Sequence, residues 1–144
     1  MAAVGVGNNI SALVQGITLR RATGSLVGIR RPVLHGVDVG DIDFVAAYDR
    51  SADKVGMDLA EAIFLPPNNF PRLSAGVPPA GIAVSRGLTD TSEVDRVAGE
   101  LAAAATKVVL YAASRSLLSA TFRTWSRRRS RTSTSRLRRG ARRQ

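Results

Sequence analysis

Ala3-Val4-Gly5-Val6-Gly7-Asn8-Asn9-Ile10-Ser11-Ala12-Leu13-Val14-Gln15-Gly16 reads as the end of a short strand, a glycine turn and the start of a helix. Gly5 permits a tight turn, and Gly7 leaves room for a pyrophosphate to approach the backbone. The first N–H groups of the following helix then face the anion, and the helix dipole favours it. The third glycine of a G-x-G-x-x-G fingerprint would fall at position 10, where Ile10 stands. Taken alone, the motif reads more readily as an ordinary glycine turn between strand and helix.

The chain downstream supplies the context. The spacing predicts a helix from Asn8 to about Leu19, with Ile10, Leu13, Val14 and Ile17 on one face and Asn8 or Asn9 as cap. Residues 20–41, with four glycines and Pro32, read as a long irregular insertion. Ile42–Tyr48 is a second strand with Asp49 at its carboxyl end, and 52–64 reads as a helix stopped by Pro66-Pro67. Residues 65–80, with five prolines, form a loop. Gly81–Ser85 is a short third strand near a sheet edge. Thr91–Ala105 is a helix capped by Thr91 or Ser92, and Thr106–Tyr111 is a fourth strand. Strands alternating with helices predict an α/β fold, an incomplete Rossmann-like doubly wound parallel sheet.

Composition narrows the chemistry. The chain has 144 residues, no cysteine and one histidine, His35, which disfavours disulfides, thiolate metal sites and His-based triads. No basic leader, and no run of the ~20 apolar residues that a membrane span needs, is evident. A cytoplasmic protein is therefore expected. The net charge of +10 divides sharply. Residues 1–111 carry ten basic and eleven acidic residues, whereas 112–144 carry eleven arginines and no acid. The expected organisation is a partial NAD-binding domain over 1–111 and an Arg/Ser-rich tail over 112–144, disordered or read out of frame. The tail also admits two functional readings. Arg127-Arg128-Arg129 could bind phosphates while Trp125 stacks on a base, or Leu118, Phe122 and Trp125 could form a basic amphipathic helix at a membrane surface.

Asp49 strengthens the glycine turn. A carboxylate closing the second strand of a dinucleotide site accepts hydrogen bonds from the adenosine ribose. Its usual position is about 20 residues beyond the fingerprint. Here it lies 42 residues after Gly7, and the 20–41 insertion accounts for the excess. An acid at this position favours NAD over a 2′-phosphorylated cofactor, a preference that Arg50 and Lys54 weaken. A helix-capping role for Asp49, and an exposed helix position for Asp58, are the structural alternatives.

Five ordered blocks resemble the inositol-3-phosphate synthases of the actinobacterial and archaeal type. They are Gly5-Val6-Gly7-Asn8 with Ser11–Gly16, Gly36–Asp49, Lys54–Phe64, Asn68-Asn69 and Val84-Ser85-Arg86-Gly87. The resemblance implies an isomerase of inositol and phospholipid biosynthesis that converts glucose 6-phosphate into 1D-myo-inositol 3-phosphate. In such enzymes NAD oxidises the sugar, an intramolecular aldol step closes the ring, and NADH reduces the product. It also implies that Gly5, Val6, Gly7, Asn8, Asn9 and Ile10 surround the pyrophosphate, that Asp49 takes the ribose, and that Asp58 and Ala104 belong to the cofactor shell. A homo-oligomer is the implied assembly of the full-length enzymes. After Tyr111 the likeness ends: Ala112-Ala113-Ser114-Arg115 stands where the family has a Leu-Pro-Val-Gly-Ser turn, and its catalytic lysines have no counterpart. The expectation is thus an N-terminal NAD-binding portion without catalytic residues, inactive alone. An Arg-tailed nucleic-acid-binding protein and an NAD-binding module serving a partner are the competing readings. In the first of the three, the tail would bind nucleic acid only weakly, as a polyanion.

Overall fold

Short runs of alanine and β-branched residues build the sheet. In the computed structural model, which describes residues 1–73, 76–113 and 122–128, β1 (Ala2–Val4) is buried along its whole length. It is followed by α1 (Asn8–Thr23), a hairpin of β2 (Val33–Leu34) and β3 (Val37–Asp38), and then β4 (Ala46–Asp49). The chain continues through α2 (Leu59–Ala62), β5 (Val84–Arg86), α3 (Val94–Ala103) and β6 (Val109–Tyr111). The main sheet runs β5-β4-β1-β6, with every neighbour parallel. Counting only those four strands in chain order, this is 3-2-1-4, the order of the Rossmann-like doubly wound fold. The switch in winding direction falls between β1 and β6.

Alternation along β1 divides the core into two layers. Ala2 and Val4 pack with Tyr48, Val97, Leu101 and Trp125, on the side covered by α3. Ala3 points to the other face and joins Val6, Ile10, Val14, Leu59 and Ile63, on the side of α1 and α2. Helices thus cover both faces, as a parallel sheet requires.

Several boundaries differ from the sequence reading. The first helix runs to Thr23, four residues further than predicted, and ends at Gly24 in the left-handed conformation (φ 69°). The 20–41 insertion contains the β2–β3 hairpin, tied to α1 by an Arg20–Asp38 ion pair at 2.7 Å. The predicted helix over 52–64 shrinks to Leu59–Ala62. Gly56 at φ 89° and Asp58 in an extended conformation (ψ 140°) break it, and Asp58 caps what remains by accepting from the Ala60 N–H. Before α3, Asp90 rather than Thr91 or Ser92 accepts from the first free N–H, that of Ser92. Within the predicted tail, residues 122–128 are helical, while 114–121 and 129–144 lie outside the described residues. Trp125 is 7% exposed in the α3-side core, and Arg128 pairs with Asp95 of α3. Its indole is packed among apolar side chains rather than presented for stacking on a base. No described helix is long and apolar enough to cross a membrane.

Candidate nucleotide-binding site

The carboxyl ends of the strands converge on one cavity. Val4, Asp49, Gly87 and Tyr111 end or follow the four strands, and all of them line a space of about 580 Å³ together with Gly5, Val6, Gly7 and Lys54. In open parallel sheets, ligands bind in this crevice, beside the point where strand order reverses.

Two glycines shape it differently. Gly5 adopts φ 94°, a region that L-residues avoid, and a Cβ there would stand 2.9 Å from backbone atoms of Ala112 and Ala113. The fold itself, through backbone conformation and packing, requires glycine at this position. Gly7 has φ −97° and ψ −166°, open to any residue, and a Cβ would meet no protein atom within 4 Å. Nothing in the protein demands glycine there. What a side chain would occupy is the space in front of the α1 N-terminus, where Gly7 offers no side-chain cap. The first N–H groups of α1 lack intrahelical acceptors and carry the positive end of the helix dipole.

Asp49 serves the same turn. Its Oδ2 accepts from the Val6 N–H at 2.6 Å and its Oδ1 from the Ser51 N–H at 2.8 Å. Each carboxylate oxygen has a further lone pair, so these bonds leave acceptor capacity for hydroxyl groups. From below, Lys54 Nζ donates to the Val6 carbonyl at 2.7 Å and to Asn68 Oδ1 at 3.1 Å. Lys54 is only 1% exposed. Burial pushes its ammonium below the usual lysine value, and the Asp49 carboxylate opposes that shift. Asn68 Nδ2 donates to the Val6 and Ile63 carbonyls, at 3.1 and 2.8 Å. Asn8 holds the neighbouring segment, donating to Asn69 Oδ1 and accepting from the Asn69 N–H.

The sequence-predicted residues therefore divide. Gly5, Val6, Gly7 and Asp49 line the cavity; Asn8 and Asn9, the first two residues of α1, follow Gly7 and are not among the lining residues. Ile10 is fully buried in the core, so only its backbone faces the helix end. Asp58 is not among the lining residues. Its carboxylate accepts from the Ala60, Ala80 and Gly81 N–H groups at 2.8–2.9 Å. Burial alone would raise its pKa, but the backbone donors outweigh that and hold it below the ordinary value. Ala104 forms the C-cap of α3, where the chain turns into β6, at the end of the sheet away from the cavity. Lys54 and Asn68 were not singled out as site residues by the sequence. Their signal was their place within the resemblance blocks, and a buried lysine inside a predicted helix gives no other.

Strand order, the cavity at the switch point and the glycine turn define a Rossmann-like α/β fold. No protein-family model matches the chain. It is, however, 44% identical over 92 residues to the inositol-3-phosphate synthase of Mycolicibacterium smegmatis, a match covering 62% of this chain and 25% of that protein. The inositol-3-phosphate synthases of Mycobacterium tuberculosis and Corynebacterium glutamicum match over the same length at 41% and 40%. Among solved structures, Ari2 superposes with a TM-score of 0.69 at 35% identity, covering 83% of this chain and 42% of that one. A myo-inositol-1-phosphate synthase-related protein from Thermotoga maritima shares the fold at a TM-score of 0.53 and 18% identity, covering 77% of this chain and 34% of that one. Over the matched stretch, the chain is similar to the inositol-3-phosphate synthases. It spans about a quarter of the length of these curated relatives.

Proposed function

We propose that the cavity at the strand ends binds NAD, and that the chain is the cofactor-binding portion of an enzyme of the inositol-3-phosphate synthase type. The observation that carries this reading is the convergence of the Gly5–Gly7 turn, the α1 N-terminus and Asp49 on one cavity at the switch point. The pyrophosphate would lie over Gly7 and the first N–H groups of α1, reached through Gly5, Val6, Asn8, Asn9 and the Ile10 backbone. Asp49 would accept from the adenosine ribose hydroxyls, and its charge would repel a 2′-phosphate. Asp58 would act at one remove, by holding the 80–82 turn. Ala104, the C-cap of α3, is not among the residues lining this cavity and is given no contact in this reading. NAD bound there would supply a hydride acceptor and donor to the sugar.

The whole protein's reaction would convert glucose 6-phosphate into 1D-myo-inositol 3-phosphate, in the cytoplasm and as a homo-oligomer. Residues 1–111 form the nucleotide-binding unit in this reading, and no acid, base or Schiff-base lysine is assigned among the described residues. Lys54 is committed to the glycine turn. The test is calorimetric titration of the 144-residue chain with NAD and NADP, followed by incubation with NAD and glucose 6-phosphate. Saturable NAD binding, weaker NADP binding and no inositol phosphate are expected. Absence of NAD binding overturns the cofactor reading, and robust turnover overturns the assignment of this chain as the cofactor-binding portion alone.

A further inference from the structure

Lys54 is the largest fully buried side chain in the described structure, and it is a cation. Burying an ammonium is costly unless its donors are satisfied. Here Nζ donates to the Val6 carbonyl of the glycine turn and to Asn68 Oδ1. Nζ and Asn68 Nδ2 both donate to the Val6 carbonyl, at 2.7 and 3.1 Å. Asp49 receives the Val6 N–H at 2.6 Å, so both polar groups of Val6 are held by side chains 43 or more residues away.

The consequence lies one atom further along. The Val6–Gly7 peptide is trans, so its C=O and N–H point in opposite directions. Fixing the Val6 carbonyl against Lys54 turns the Gly7 N–H away from the ammonium. This plane needs fixing, because Gly7 accepts either sign of φ and offers little resistance to a peptide flip. A flipped plane would exchange the Gly7 N–H for a carbonyl oxygen, which repels an anion.

We propose that Lys54 is a positioning residue for phosphate recognition: by holding the Val6 carbonyl, it keeps the Gly7 N–H directed to a phosphate oxygen beside the first N–H groups of α1. The inference rests on the nucleotide reading above and names how that site distinguishes a phosphorylated ligand from a bare nucleoside. In this reading Lys54 acts through the Val6 carbonyl, to which its Nζ is bonded at 2.7 Å.

The experiment compares ADP with adenosine as probes, on the full 144-residue chain and on Lys54→Met, using amide chemical shifts of the 15N-labelled proteins. Lys54→Met is expected to weaken ADP at least tenfold and leave adenosine within twofold. Equal ADP binding by both proteins overturns the proposal. So does a parallel loss of ADP and adenosine, which is the mark of a general structural role. Should Lys54→Met not fold, the unsubstituted chain still decides. ADP should move the Gly7 amide proton downfield and adenosine should not, whereas a Gly7 amide indifferent to ADP overturns the proposal. If the unsubstituted chain binds neither probe, the nucleotide reading itself fails, an outcome distinct from the others.

Discussion

Replacing Gly5 and Gly7 by alanine, one at a time, separates the fold's need for glycine from the ligand's. Gly5→Ala places a side chain at φ 94°, a conformation costing ~1–3 kcal/mol for a residue with a Cβ. It also drives that Cβ to 2.9 Å from the Ala112 and Ala113 backbone, which cannot rotate aside as a side chain would. Overpacking of this kind adds ~1–3 kcal/mol. The sum, about 2–6 kcal/mol, is a large share of the ~5–15 kcal/mol that holds a domain folded. Gly7→Ala carries neither term, since its backbone is extended and its Cβ meets open space. Exchanging an N-cap glycine for alanine costs about 0.5–1 kcal/mol. Urea unfolding should therefore show a large loss for Gly5→Ala and a small one for Gly7→Ala. NAD titration of the Gly7→Ala protein should show at least a tenfold loss of affinity. The reasoning is refuted if the two variants are equally destabilised, or if Gly7→Ala binds NAD as the parent does.

Other outcomes follow from single contacts. Trp125→Ala should cost ~3–5 kcal/mol in urea unfolding, because the ring is 7% exposed and packs on the α3-side core. The fluorescence of this sole tryptophan should be blue-shifted in the native protein and red-shift on unfolding. Asp58→Ala removes the acceptor for three backbone N–H groups and should destabilise by about 1–3 kcal/mol, measured the same way. Glu93 accepts from the Thr89 backbone N–H and hydroxyl, which lower its pKa to about 2 from an ordinary 4.5. A lowered carboxylate pKa gives stability that is present above the unfolded value and lost as pH falls through the folded one. Thermal unfolding should thus lose stability from about pH 4.5 down to about pH 2, and Glu93→Gln should flatten that part of the profile.

The order of strands and helices was legible because each strand is a short apolar run that follows a helix or loop with its own punctuation. The parallel sheet and its 3-2-1-4 order agree with that reading. The 52–64 segment was misread because its apolar spacing suits a helix, while Gly56 and Asp58 impose backbone angles that end one. The β2–β3 hairpin was not visible, since two-residue strands carry no periodicity. At the site, the glycine turn and Asp49 were readable from residue type and position at the ends of two strands, despite the long 20–41 insertion between them. Lys54 was not. Its burial arises from contacts with Val6 and Asn68, 48 and 14 residues away, and no local pattern encodes them. Trp125 was read as a possible base-stacking group for a similar reason: only its packing against the α3-side core reveals its place.

A crystal structure of the chain with NAD tests the central claim most directly. The account predicts the pyrophosphate over Gly7 and the α1 N-terminus, with ribose hydroxyls on Asp49. Dinucleotide found elsewhere, for instance in the groove of about 400 Å³ beside Val14, Phe44 and Val77, with the strand-end cavity empty, would contradict it.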